Sequence, residues 1–290
     1  MSDMQDWLND PIAFAGTKSI IVDESRIKAL NDLHIATLVG AGPHAIAPAT
    51  FLLRFKLEAY QSTQAVLEIH GGGAAGCHDC YFLPYRADTA ITLTLGANAN
   101  FFFTSTLTGC TVQAYGPPVG PTVTHANART QYNLNVAARR TLLNVAGLAG
   151  KAEVQGKIQA EQQASAITAP QIDAMLPATG MWPAKRVRKS DYLGKFTRRN
   201  LRESKPGLRQ ATGAKWWHRM DVEGALVDDH KPEVGGFVFG VRNPATGWAF
   251  YYQSSIALDG SRNTGVIWGR KQKALISEAA VLGLAEKFFP

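Results

Sequence analysis

Between residues 51 and 125 the chain is cut into short apolar runs by glycine and proline, and this cutting limits what it can fold into. Residues 51–57 and 65–70 are two such runs, and the cluster Gly71-Gly72-Gly73 breaks the second. Over 90–95 the pattern alternates, with Ile91, Leu93 and Leu95 on one side and Thr92 and Thr94 on the other. Period two is the mark of a strand with one face buried. Residues 101–107 and 110–115 read as two more strands joined through Thr108-Gly109. Gly116-Pro117-Pro118 ends the second, and 121–125 begins the next, so 110–125 reads as an antiparallel hairpin.

The period then changes. Leu134, Ala138, Leu142, Val145 and Ala149 recur at three and four residues, the stripe of an amphipathic helix, and Val154, Ile158 and Gln162 extend it in more polar form. Strands return over 236–241, 248–253 and 264–268, with turns expected at Asn243-Pro244 and Asp259-Gly260. Leu275, Ala279, Leu282 and Ala285 predict a closing helix over 271–288. Strands, helices, strands and a last helix make an α+β class, with a mixed or antiparallel β-sandwich core flanked by helices. Residues 1–48 read as an N-terminal lead-in closed by Gly40, Gly42, Pro43 and Pro48. Residues 49–290 read as one domain with a basic insertion around 180–220.

At 290 residues the chain is long enough for a sizeable core. It has no uncharged apolar stretch of the roughly 18 residues a spanning helix needs. The start, MSDMQDWLNDPIAFAG, is acidic and lacks the basic and apolar regions of a secretory signal. Three cysteines, Cys77, Cys80 and Cys110, are too few for a disulfide framework and suit a reducing compartment. The expectation is a soluble protein without export or membrane signals.

The net charge of +7 is concentrated between Lys185 and Arg219, where only Asp191 and Glu203 oppose twelve bases. Three readings of this stretch stand. It is a solvated face, a docking surface for an acidic protein through residues such as Arg198, Arg199 and Arg202, or a nucleic-acid footprint with Trp182, Tyr192, Phe196, Trp216 and Trp217 available for stacking. The nucleic-acid reading is the least favoured.

The segment Thr104-Ser105-Thr106-Leu107-Thr108-Gly109-Cys110-Thr111-Val112 carries the chemistry. Gly109 allows a tight or left-handed turn, which would turn the N–H groups at Gly109 and Cys110 outward as an oxyanion site. Cys110 then sits at the rim of a sheet, where a thiol is nucleophilic only if a base takes its proton. His125 lies fifteen residues on, at the far end of the returning strand, so the hairpin sets the two side by side. The bland reading is a buried cysteine and an unrelated surface histidine.

Leu107-Thr108-Gly109-Cys110 with a histidine fifteen residues later resembles the deamidase domain of cytotoxic necrotizing factor toxins. There a Leu-Ser-Gly step precedes the nucleophile, so Thr108 keeps the hydroxyl. The resemblance covers 60–290 in outline and is specific over 104–125. It implies a bacterial toxin or effector, made in the bacterial cytoplasm and delivered into a target cell's cytosol, that deamidates a glutamine on a protein substrate. Cys110 would be the nucleophile and His125 the acid–base group, with neither metal nor cofactor. In that family a backbone carbonyl from a neighbouring strand orients the histidine, and Thr104 is the candidate by analogy with lethal-factor deamidases.

Alternatives with the same dyad are a cysteine protease or a transglutaminase-like acyl transferase. The alternative of a different class is a non-catalytic basic binding module. Cys77-His78-Asp79-Cys80 is the rival constellation, as half a zinc site with His70 or as a redox pair. No second pair follows, and the preferred reading is a loop of ordinary thiols.

Overall fold

In a computed structural model, the described residues are 2–22, 35–40, 44–47, 52–61, 64–71, 75–86, 88–107, 109–127, 169–193, 231–267, 270–281 and 285–290. The expected helices over 134–149 and 154–162 lie outside them.

The class is α+β, and sheet dominates. Two short helices, α1 (Asp3–Asn9) and α2 (Pro11–Thr17), open the chain. Their boundary is local chemistry: Pro11 starts α2, and the Asp10 carboxylate accepts from the N–H groups of Ile12 and Ala13 at 3.1 and 2.9 Å. The first strands are β1 (Ser19–Val22), β2 (His44–Ala47), β3 (Leu53–Gln61), β4 (Gln64–His70), β5 (His78–Leu83), β6 (Thr89–Thr94) and β7 (Phe101–Thr104). Then come β8 (Thr111–Tyr115), β9 (Thr122–Asn127), β10 (Lys185–Val187) and the short helix α3 (Lys189–Leu193). The chain closes with β11 (Lys231–Asn243), β12 (Gly247–Ile267), β13 (Arg270–Val281) and β14 (Glu286–Phe289).

The strands form two mixed sheets. The larger runs β1-β4-β3-β5-β7-β11-β12-β13, with β14 also on β12; the smaller runs β10-β8-β9-β6-β2. Pairs β1–β4, β2–β6 and β5–β7 are parallel.

Side-chain alternation explains how the layers stack. Along β5, Tyr81 and Leu83 face the small sheet, whereas Cys80 and Phe82 face the opposite way, and β7 divides Phe102 from Phe103 in the same manner. The inter-sheet core joins Tyr81, Phe102, Val238, Trp248 and Phe250 to Ile91, Leu93, Val112, Ala114 and Val123. On the other face of the large sheet, Trp7 and Phe14 of the opening helices pack among Phe55, Phe82, Phe103, Phe237 and Phe239. Trp7 is fully buried, its ring 5.1 Å from Phe239 and 5.7 Å from Phe103. The outer face of the small sheet is covered by a helical segment over 169–175, through Ile172 against Ala90 and Ala126.

Three expectations need correcting. The lead-in is not separate from the sheets: β1 and β2 are strands of the large and small sheets, and α1 fills a core. The described residues of the expected helix over 271–288 lie in β13 and β14 instead. Pairing of β13 along β12 from Ser255 to Ile267 overrides the local three-and-four spacing, as cross-strand partners commonly do. For the same reason Asp259-Gly260 lies inside β12 rather than in a turn. The turn at Asn243-Pro244 does join β11 to β12, and the alternation over 90–95 is seen as read, with Ile91, Leu93 and Leu95 buried.

One buried polar side chain ties the ends of the large sheet together. Gln253 on β12 accepts the Ile20 N–H of the edge strand β1 at 3.0 Å and donates to the carbonyls of Ala15 and Lys18 at 2.6 and 2.7 Å. A buried backbone group left without a partner costs about 1–3 kcal/mol. Gln253→Leu is therefore expected to lower unfolding stability by at least about 3 kcal/mol, read as a shift of the urea midpoint. A change under about 1 kcal/mol would mean that the clamp is dispensable.

Candidate functional site

The hairpin expected from 110–125 is present. Strand β8 pairs antiparallel with β9, and Gly116, at φ +96°, opens the connection. Its register pairs Thr111 with Ala126 and Val112 with His125. One step further along, Cys110 stands opposite Asn127 rather than His125. Side chains two residues apart share a face, so Cys110, Val112, His125 and Asn127 all point toward the inter-sheet layer. Cys110 and His125 are thus diagonal neighbours on one face, a relation that spans about 7–8 Å between backbones.

Cys110 Sγ accepts a hydrogen bond from Asn127 Nδ2 at 2.8 Å. The imidazole of His125 sits beneath the end of β5. The carbonyls of Leu83 and Pro84 face it and favour its protonated form, yet neither ring nitrogen makes a hydrogen bond of ordinary geometry. Desolvation outweighs them, and burial lowers the His125 pKa from 6.5 to about 4. The imidazole is therefore neutral at pH 7, the form that can accept a proton. The Tyr85 ring, at the sandwich rim, lies 6.3 Å from the imidazole and is 39% exposed.

The structure departs from the sequence expectations at several points. Cys110 is 1% and His125 2% exposed, so the thiol is covered rather than open at the rim. Thr104 is not the residue whose carbonyl acts on the ring; Leu83, its register partner across β5–β7, and Pro84 are. The Thr104 hydroxyl instead meets the backbone of Val238 at 3.4 Å. Gly109 takes no left-handed φ, so its turn does not demand glycine on conformational grounds. Among the described residues, a Cβ placed there would meet nothing within 4 Å.

Arg198, Arg199 and Arg202 lie outside the described residues. The start of the basic stretch is a folded sheet edge, β10, followed by the short helix α3. Arg186 donates to Gln113 Oε1 at 2.7 Å, Arg188 pairs with Asp173 at 2.9 Å, and Lys189 is buried. Cys77 and Cys80 are buried free thiols, but the expected loop is not there: His78, Asp79 and Cys80 open strand β5, held between β3 and β7, and burial, then Asp79 and Cys77, push the Cys80 thiol up. Among the described residues no three histidine, cysteine or acidic side chains gather as a metal site. No helix of the described residues is long and apolar enough to cross a membrane.

Sequence reasoning missed Asn127, Tyr85 and the two carbonyls. Asn127 was reachable, since it lies two residues beyond His125 and so shares its face. Leu83 and Pro84 act through backbone atoms and leave no side-chain signature. No protein-family model matches the chain, and no curated protein matches it in sequence.

The depressed pKa gives a signed consequence. Between pH 6.5 and 4 the unfolded chain binds the His125 proton and the folded chain does not, so stability falls as pH drops through that window. The loss from this group is about 3 kcal/mol when complete. His125→Phe should remove that part of the acid sensitivity in urea denaturation at pH 7 and 4.5. Equal pH slopes in the two proteins would show that His125 is not desolvated.

Proposed function

We propose that the protein is a thiol-dependent amidohydrolase that deamidates a glutamine side chain on a protein substrate, with Cys110 as nucleophile and His125 as base and acid. One observation carries the reading: thiol and neutral imidazole share the inner face of one hairpin, with an amide N–H on the sulfur and two carbonyls on the ring. The motif's resemblance to necrotizing-factor deamidases adds the reaction class, and the carbonyls of Leu83 and Pro84 suit the orienting role that family gives to a backbone carbonyl.

The steps balance as follows. His125 takes the Cys110 proton as sulfur bonds to the carboxamide carbon. The N–H groups at Gly109 and Cys110 stabilise the oxyanion. His125 returns the proton to the leaving nitrogen and ammonia departs, leaving a thioester. His125 then deprotonates water, which attacks the thioester; the acid is released and the thiol restored. Substrate reaches the pair by turning aside Tyr85, the exposed ring against His125. The net charge of +7 suits an acidic target surface, and delivery into a target cell belongs to the same reading.

The burial of Cys110 and His125 favours a second reading, in which both are core residues of a protein with no covalent chemistry. A charge-variant and intact-mass assay on candidate targets separates the two. The first reading expects a gain of ~1 Da and one negative charge on the target, with ammonia released and no fragments. Cys110→Ser and His125→Ala should each lower turnover by more than about 10²-fold, the lower end of what a positioned acid–base group contributes. Fragments would indicate a protease, and amine adducts a transglutaminase. A Cys110 inert to iodoacetamide in the folded protein, with wild type and Cys110→Ser equally active or toxic, would leave the core reading standing.

A further inference from the structure

At the opposite end of the β8–β9 hairpin from Cys110 lies a groove of about 510 Å³. That is within the roughly 300–1,000 Å³ of small-molecule sites. Pro118, Trp182, Pro183 and Phe288 give it apolar walls, and Lys185, Lys287 and the last residue, Pro290, line it as well. Five residues of strand separate it from the Cys110 end, or about 17 Å.

Its walls are fixed by the fold rather than by loop chance. The Pro118 carbonyl accepts the Trp248 N–H at 2.8 Å. Gly247, at φ +89°, lets that approach happen, since a Cβ there would stand 2.5 Å from the same carbonyl oxygen. Phe288 is carried by β14, paired to β12, with its ring 6.2 Å from Phe250. Lys185 is fixed opposite Ala114 in the β10–β8 ladder. Trp182 closes a turn through its N–H to the Thr179 carbonyl at 3.2 Å.

Two features say what would fill it. Trp182, a large apolar side chain that lines the groove, is left 46% exposed. An exposed aromatic wall beside Pro118, Pro183 and Phe288 makes an apolar surface that a ligand could cover. Lys185 and Lys287 are both exposed. Apolar walls with two lysine ammoniums in the lining, neither paired with a carboxylate within 4.0 Å among the described residues, complement an apolar body bearing an acidic group.

We propose that this groove binds a free small amphipathic anion, an aromatic or aliphatic body with a carboxylate, sulfonate or phosphate head, its body against Trp182 and Phe288 and its head between Lys185 and Lys287. The site is separate from the Cys110–His125 pair and does not depend on its activity.

Two fluorescent probes of nearly the same shape test it in the full chain: 8-anilinonaphthalene-1-sulfonate and its uncharged counterpart N-phenyl-1-naphthylamine. The sulfonate should bind saturably at one site per chain. Replacing both lysines (Lys185→Gln with Lys287→Gln) should raise the Kd for the sulfonate at least about fivefold, as expected for two exposed charge contacts. The Kd for the neutral probe should stay within about twofold, having no charge to lose. Trp182→Ala should weaken both probes by about tenfold, the worth of one aromatic wall. Urea midpoints matched to wild type establish that the variants are folded. No saturable binding, a Kd unchanged by Trp182→Ala, or equal effects of the lysine changes on both probes would each overturn the proposal.

Discussion

The architecture depends on how the large sheet ends. Strand β1 is its edge, and an edge strand carries backbone groups with no neighbour. Gln253, from β12 near the other end of the strand order, reaches the Ile20 N–H of that edge and two carbonyls at the end of α2. The amide is fully used and fully buried, so the closure leaves no polar atom of its own exposed to an apolar core. The curl that permits this contact gives the opening helices their seat, with Trp7 among Phe103, Phe239 and Phe101.

A sheet lined by helices on one face must bury the other against something of its own. The alternation of β5, β7 and β11 meets this requirement, because both faces of these strands are apolar: Tyr81 and Phe82, Phe102 and Phe103, Val238 and Phe239. Runs apolar on both sides are expected of strands buried in the middle of a layered fold. The small sheet then takes the second face, and its own outer face is left for the helical segment carrying Ile172.

The candidate site inherits its electrostatics from that layer. Cys110 and His125 point inward because their neighbours Thr111 and Ala126 must point outward. The imidazole is desolvated by the same packing that holds the sheets together, which is why it is neutral and why the thiol is covered. Both ends of the β8–β9 hairpin therefore present chemistry, but of different kinds. One end buries polar groups among strand termini, whereas the other leaves apolar rings and two cations in solvent.

The α+β class, the strands over 51–125 other than β5, the hairpin turn at Gly116-Pro117-Pro118 and the inward face of Ile91, Leu93 and Leu95 were legible in the sequence alone. They follow from local rules: period two, and the backbone limits of glycine and proline. Cys110 and His125 were also legible as a same-hairpin pair, because hairpin pairing is a short-range relation. Tertiary structure alone decided the rest. Whether the described residues of 271–288 became strand or helix depended on β12, a partner the local spacing cannot register. The one-step register that sets Asn127 against Cys110 was fixed by the ladder between β8 and β9. Which carbonyls meet His125 was set by the end of β5, forty residues upstream, in the opposing sheet. Burial of the pair belongs to the same class, since a side chain's exposure is a property of what packs over it and not of the strand that carries it.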